Sequence, residues 1–242
     1  MVKAAHPLIA NLELHDDLSE EEQSILLGAL GPEREVAAGA EMIRQGDRLW
    51  HSTVLLAGLA IRYQVHEGGA PQITAIHVPG DFIDLHSFLL KTMDHSVAAF
   101  TECTYATVSH DILKDITATR PHLTRILWLK TVIDGAMIRN WLTVTGSLEP
   151  YPRAAHLICE IFIRLRNVGR LDGASFTFPL GENDFGRMMG FTGSELGEMF
   201  QQLKNEGLID WSSRVVTIMK WEQLKEVARF DRTYLSLQHE PR

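Results

Sequence analysis

Three histidines, His77, His86 and His95, recur at nine-residue intervals within a stretch of short apolar runs and turn residues. Imidazole is the commonest metal ligand and a frequent axial ligand of haem, so metal chemistry is the first reading to weigh. The spacing matches no known ligand pattern. The expectation is of ordinary histidines hydrogen-bonded in or near a β-rich domain, with no metal and no cofactor. The two cysteines, Cys103 and Cys159, fall in a strand-like and a helical segment. Two thiols build neither a disulfide framework nor a four-thiolate iron–sulfur site, and the pair reads as buried core thiols. The chain has no nucleophile elbow, no phosphate-cradling glycine loop and no His-x-x-x-His pair, and Glu20 to Glu22 is a charged helix start, so an enzyme is not expected.

The elements that position these residues follow from pattern. Ser19-Glu20-Glu21-Glu22 has the form of a capping box, followed at helical spacing by Ile25, Leu26 and Leu30, and Gly31-Pro32 ends that helix. From Glu33 to about Ser109, apolar runs are broken by turn residues such as Gln45-Gly46-Asp47 and Glu67-Gly68-Gly69, which reads as an antiparallel barrel or sandwich. The clearest strands are Ser52 to Leu56, Ala60 to Val65, Ile73 to Val78 and Val97 to Val108. After Pro121 a long helix is expected, with Leu123, Leu127, Lys130, Ile133, Met137, Trp141 and Val144 near one stripe. Such a stripe between two domains predicts a partner helix, most simply its own copy in a two-fold dimer; the alternative is packing on its own β-rich domain. Ser147 to Pro152, with two prolines, reads as a linker.

Beyond it, Arg153 to Arg166 forms an amphipathic helix, Glu182 to Met189 a short one, and Thr192 opens a third that stops at Gly207. Residues Leu208 to Ile218, turning at Ser212-Ser213, read as a β-wing. The expected fold is therefore α+β.

The 242 residues carry a formal charge of −8 and are 45% hydrophobic, enough to fill real cores. Residues 1–150 hold 11 basic and 19 acidic side chains, residues 151–242 hold 12 of each, so all the excess acid lies in the first part. No apolar run is long enough to span a bilayer and the first residues lack a signal-peptide core, so a cytoplasmic protein with no membrane partner is expected.

A β-domain, one long helix and a winged helix-turn-helix, in this order, resemble the Crp/Fnr superfamily over essentially the whole chain. The motifs that carry the resemblance are Pro79-Gly80-Asp81-Phe82, Asp184-Phe185-Gly186-Arg187-Met188-Met189-Gly190-Phe191-Thr192 and Leu203-Lys204-Asn205-Glu206-Gly207-Leu208-Ile209. The resemblance implies a double-stranded, jelly-roll-like β-roll over residues 1–117 as effector sensor, a dimerisation helix over 118–146, the linker 147–152 and a winged helix-turn-helix over 153–242. It further implies a homodimer that regulates transcription from a palindromic operator, with two half-sites one helical turn apart and the second helix of each module in the major groove. RNA polymerase is a candidate further partner.

Relatives that bind cyclic nucleotides hold the ribose with a Gly-Glu pair after the Phe, and the phosphate with an Arg-Ser. In register, this chain has Asp84 and Leu85 for the first pair and His95-Ser96 for the second. Leu85 cannot accept ribose hydroxyls, and His95 lacks the bidentate fork of a guanidinium. The expected effector pocket, Asp84, Leu85, His86, His95 and Ser96, suits a small polar or cationic effector other than cyclic AMP.

In the reading helix, Leu196, Phe200 and Leu203 share the inward face, which turns Ser194, Glu198, Gln201, Gln202 and Asn205 outward. Where relatives commonly present Arg and Glu, with a further Arg one turn on, this chain has Gly193, Ser194 and Glu198. Glu198 repels phosphates but can accept from a cytosine amino group, and Gln201 or Gln202 can pair with adenine. Thr192 with Glu195 makes a capping box. Phosphate attraction then has to come from Arg187, Arg214, Lys204, Arg153, Arg164 or Arg166, with Arg187 and Arg214 best placed. A second reading keeps the scaffold but not the DNA, as a sensor or protein-interaction module.

Overall fold

The computed structural model describes residues 6–179 and 187–241. Two short helices open the chain, α1 (Pro7–Leu12) and α2 (Glu20–Gly28), the second closed by the expected capping box between Ser19 and Glu22. Seven strands follow: β1 (Arg34–Val36), β2 (Glu41–Ile43), β3 (His51–Ala57), β4 (Ala60–Gln64), β5 (Gln72–His77), β6 (Ser96–Ala99) and β7 (Cys103–Ser109). They form two sheets, β1-β7-β3 and β2-β6-β4-β5, antiparallel throughout. Residues from both, including Ile43, Leu55, Ala60, Val97 and Cys103, fill one apolar cluster, so the antiparallel sandwich expected from the broken apolar runs is the two-layer β-roll that the resemblance implies. Expected as one strand, Val97 to Val108 is two. The chain breaks at Phe100 to Glu102, where the Phe100 and Thr101 amides donate to the Leu59 carbonyl.

Helices α3 (His110–Thr119), α4 (Pro121–Ser147) and α5 (Pro150–Asn167) come next. The expected linker is corrected: α4 runs through Ser147 and α5 starts at Pro150, leaving Leu148 and Glu149 between them. Pro150 and Pro152 sit in the first turn of α5, where a missing N–H goes unused and the fixed φ already suits a helix.

The stripe Leu123, Leu127, Ile133, Met137, Trp141 and Val144 is also reassigned. All six are buried within the chain itself, against the roll and α5, so this stripe is intramolecular core rather than the partner-facing seam. On the opposite side Trp128, Val132, Ile138 and Leu142 are exposed, Trp128 at 68% and Leu142 at 74%.

The last part holds β8 (Ser175–Thr177), β9 (Arg187–Met188), α6 (Gly193–Asn205), β10 (Ile209–Ser212), β11 (Val215–Ile218) and α7 (Trp221–Val227). Strands β10, β11 and β8 form a small antiparallel sheet, the wing. The short helix expected over Glu182 to Met189 falls largely on residues 182–186, outside the described residues. Its end is not helical: β9 pairs parallel with β5 of the roll, and Met189 and Gly190 turn through positive φ. The chain then returns to the roll, with the Ser236 carbonyl 2.8 Å from His15 Nδ1 and the Glu240 amide donating to the His15 carbonyl. One apolar cluster runs unbroken from Leu59, Ile76 and Val78 in the roll, through Met137 and Trp141, to Phe200 and Val216 in the winged part.

Candidate functional site

The Pro79-Gly80-Asp81-Phe82 turn sets the geometry of the sensor side. Gly80 has φ +93°, and a Cβ there would sit 2.4 Å from the Pro7 carbonyl oxygen, so the turn needs glycine to lie against α1. Asp81, buried, accepts from the Val78 amide and from Asn11 Nδ2, and pairs with Arg164 Nη2 of α5. Arg164 Nη1 donates to the Ile76 carbonyl at 2.7 Å and to Glu160 at 3.3 Å, and Glu160 accepts from Trp141 Nε1 and the Tyr234 hydroxyl. Burial opposes ionisation of Asp81, but the adjacent guanidinium wins and holds its carboxyl below the usual range. Arg164 was a candidate phosphate contact; it is instead the centre of a buried network between roll and winged part.

Next to this network lies a cavity of about 160 Å³, lined among others by Arg62, His77, His86, Lys130, Asp134 and Arg164. Of the expected pocket residues, Leu85 and His86 line it. Asp84, His95 and Ser96 do not. Asp84 is fully buried and accepts from the Thr53 amide and hydroxyl, with burial pushing its carboxyl up to about 7. The Ser96 hydroxyl accepts from the Gln45 amide at 2.9 Å. His95 meets His86, their ring centroids 4.9 Å apart.

Of the histidines expected to be hydrogen-bonded, His95 has its bond, Nδ1 to Asp94 at 2.8 Å, but Nε2 of His77, His86 and His95 is buried with no partner among the described residues. Burial, then the Arg62 charge, pushes His77 down to about 3 and His95 down to about 4, and lowers His86, so all three are neutral at pH 7. Arg62 itself is buried and pairs through Nη1 with Asp134 of α4 at 2.8 Å, while its Nη2 has no partner.

In the winged part, α6 is set by its ends and its inward face. Thr192 caps the Glu195 amide and the Glu195 carboxylate returns to the Thr192 amide at 2.7 Å. Leu196, Phe200 and Leu203 are buried, and Ser194, Glu198, Gln201, Gln202 and Asn205 are exposed, as the periodicity predicts. Gln201 donates to Asn205 and Gln202 to Glu206, which pre-orders the two amides along the helix. The wing turns at Ser213 and Arg214, both with positive φ as a two-residue type I′ hairpin requires, and Arg214 is exposed at its tip.

Residues 33–120 match the cyclic nucleotide-binding domain family and residues 152–227 the Crp-like helix-turn-helix domain family. The chain belongs to the Crp/Fnr superfamily. The regulatory protein HlyX of Actinobacillus pleuropneumoniae is 20% identical over 216 residues, 89% of this chain and 90% of that protein. An anaerobic regulatory protein of Haemophilus influenzae is 20% identical over 229 residues, 95% of this chain and 89% of that protein. FixK2 from Bradyrhizobium japonicum has the same fold, with a TM-score of 0.71 at 18% identity over 81% of this chain and 96% of that one. The protein is thus a DNA-binding transcriptional regulator of Crp/Fnr type.

Within this Crp/Fnr scaffold most of the expected phosphate contacts have other partners. Arg153 Nη1 donates to the Met189 carbonyl with its guanidinium over the Phe191 ring, and Lys204 donates to the Trp211 carbonyl at 2.9 Å. Arg166 lies over Phe162 and Trp221. Gly181 to Gly186 and the side chain of Arg187 lie outside the described residues, and of Gly193 only the backbone is described. Arg214 remains the exposed cation of the wing tip. Sequence reasoning missed Arg62 and Asp134, which lie in a strand and a helix with no local motif, and it gave Arg164 a surface role that the buried network replaces.

Proposed function

We propose that the protein works as a homodimer on a palindromic operator, with residues 1–117 as sensor, residues 118–146 as the coupling helix and residues 153–242 as the reader. The observation that carries the reading is the capped helix α6, whose outward face presents Ser194, Glu198, Gln201 and Gln202 over a buried apolar face. Glu198 and the two glutamines offer a cytosine amino group an acceptor and adenine a bidentate amide, with Thr192, Gly193 and Ser194 at the helix start and Arg214 at the wing tip for phosphate; Arg187 is kept as a second phosphate contact from its place in the sequence just before α6. A second copy is the occupant of the exposed face of α4, because Trp128, Val132, Ile138 and Leu142, with Gly135 between them, repeat at three- to four-residue steps along a 27-residue helix.

The effector is small and is not cyclic AMP. Asp84 is committed to Thr53 and Leu85 is packed in apolar core, so neither is free to take ribose hydroxyls. A gel shift against the protein's own upstream region at low salt tests the DNA reading. A specific shift that weakens on Arg214→Ala supports it; no shift under any salt condition moves the assignment to a protein-interaction module on the same scaffold.

A further inference from the structure

We propose that His86, His95 and Asp94 form a binding site for a divalent transition-metal ion of the zinc class. Sequence spacing alone argues against this, since nine residues separate the two histidines. The fold removes that objection. His86 lies in the helical turn Leu85–Phe88 and His95 just before β6, and the strand order brings them ring to ring. One ligand atom from each of His86, His95 and Asp94 lies within 4.8 Å of the others. A tetrahedral zinc site, with bonds of about 2.0–2.1 Å, has neighbouring ligand atoms roughly 3.3 Å apart, so binding draws the three groups together.

Three further observations point to a ligand. Nε2 of His86 and of His95 is buried and unpartnered, and His95 is only 4% exposed; a bare imidazole nitrogen in that setting loses its bond to water and gains nothing. His95 Nδ1 lies 2.8 Å from Asp94 Oδ1, which fixes ring and carboxylate together. Asp94 has a side chain 62% exposed, so the site opens to solvent on one side, where water can complete the shell and the ion can enter. The charges facing the two rings are Arg62, Asp134 and Asp94. Arg62 opposes a cation, but Asp134 pairs with it at 2.8 Å, leaving the Asp94 carboxylate as the uncompensated charge.

This deepens the effector reading and rests on it, since the ion is then the small cationic ligand of the sensor. It also has a route to the rest of the molecule: His86 lines the cavity against α4, and Asp134 of α4 is tied to Arg62 beside the two rings. The test uses untagged full-length protein titrated calorimetrically with Zn2+, and with Co2+ followed by visible absorption. One ion per protomer is expected, with affinity falling at least about tenfold in each of His86→Gln and His95→Gln and in Asp94→Asn. Circular dichroism reports whether each variant folds. A variant that fails to fold is replaced by imidazole nitrogen shifts of the wild type, which must move at His86 and His95 on Zn2+ addition. No bound ion, or binding unchanged by both histidine substitutions, overturns the site. A specific DNA shift without any metal binding sinks this inference alone, whereas metal binding without any DNA shift sinks the regulator reading and leaves the site standing.

Discussion

Glu198 is the residue at which the charge of the reading helix is decided. Its carboxylate is exposed on α6, and on the proposed DNA reading it repels every phosphate in range and rewards only a partner that donates to it. Glu198→Gln should therefore raise affinity for random-sequence DNA several-fold at low salt, with the gain shrinking as salt screens it, and narrow the preference for the native operator. Fluorescence anisotropy with specific and scrambled duplexes reads both; equal affinities for wild type and variant on both duplexes would mean that Glu198 does not face DNA. The two thiols have a different fate. Cys103 and Cys159 are both fully buried, and burial pushes each thiol above its ordinary range, Cys159 far above it. Neither should react with an aromatic disulfide reagent in the native protein, and both should react on unfolding in denaturant. A fast native-state reaction at either thiol would contradict the burial described above.

Helix α4 is where single residues become an element with two jobs. Its inward stripe packs on the roll and α5, and its exposed outward stripe is the face proposed for a second copy, so the two roles can be separated by substitution. Leu142→Glu, at a 74% exposed position, should leave the fold intact and convert dimer to monomer in analytical ultracentrifugation, with loss of at least about 2 kcal/mol of association free energy. An unchanged dimer would place the interface elsewhere. At the start of the same helix, His122 clamps α2 and its preceding loop, with Nδ1 2.6 Å from Glu22 and Nε2 3.1 Å from Asp16. Burial works to lower the His122 pKa, but the two carboxylates outweigh it and raise it. A raised folded-state value means that the clamp stabilises fully below the unfolded value near 6.5 and is lost as pH rises through the folded value. His122→Gln should accordingly lower stability by about 1–2 kcal/mol at pH 6 and by clearly less at pH 9, measured by urea denaturation; a pH-independent difference would show that His122 acts by packing alone. These cases also mark how far the sequence could be read. Capping boxes at Ser19 and Thr192 announced their helices because both halves of each box are local. Pro150 and Pro152 were read as linker because prolines in a first helical turn and prolines in a loop have the same composition. Apolar residues occupy two sides of α4, so periodicity identified a stripe but not which stripe faced its own chain.

At the scale of the whole molecule, the decisive contact is one that no local pattern can reveal. Asp81 lies in the glycine turn of the roll and Arg164 on α5, 83 residues apart, and their pair is buried with hydrogen bonds to Val78, Asn11, Ile76 and Glu160 around it. Sequence reasoning placed Asp81 in a family motif and Arg164 among free cations, because it recognises charges one at a time and not the partner that makes burial tolerable. Replacing such a pair with apolar groups can be neutral, but removing one partner strands the other charge and costs about 3–5 kcal/mol. The core cluster that runs from Leu59 to Val216 passes the same junction, so the roll and winged part should unfold together in the wild-type protein. Arg164→Leu leaves Asp81 uncompensated at that junction. It should lower the melting temperature by several degrees and split a single calorimetric transition into two, the roll and the winged part melting separately. The double variant Arg164→Leu with Asp81→Asn removes the stranded charge and should recover part of the loss, which separates an electrostatic role for Arg164 from simple packing. If Arg164→Leu melts in one transition at the wild-type temperature, the network does not couple the roll to the winged part.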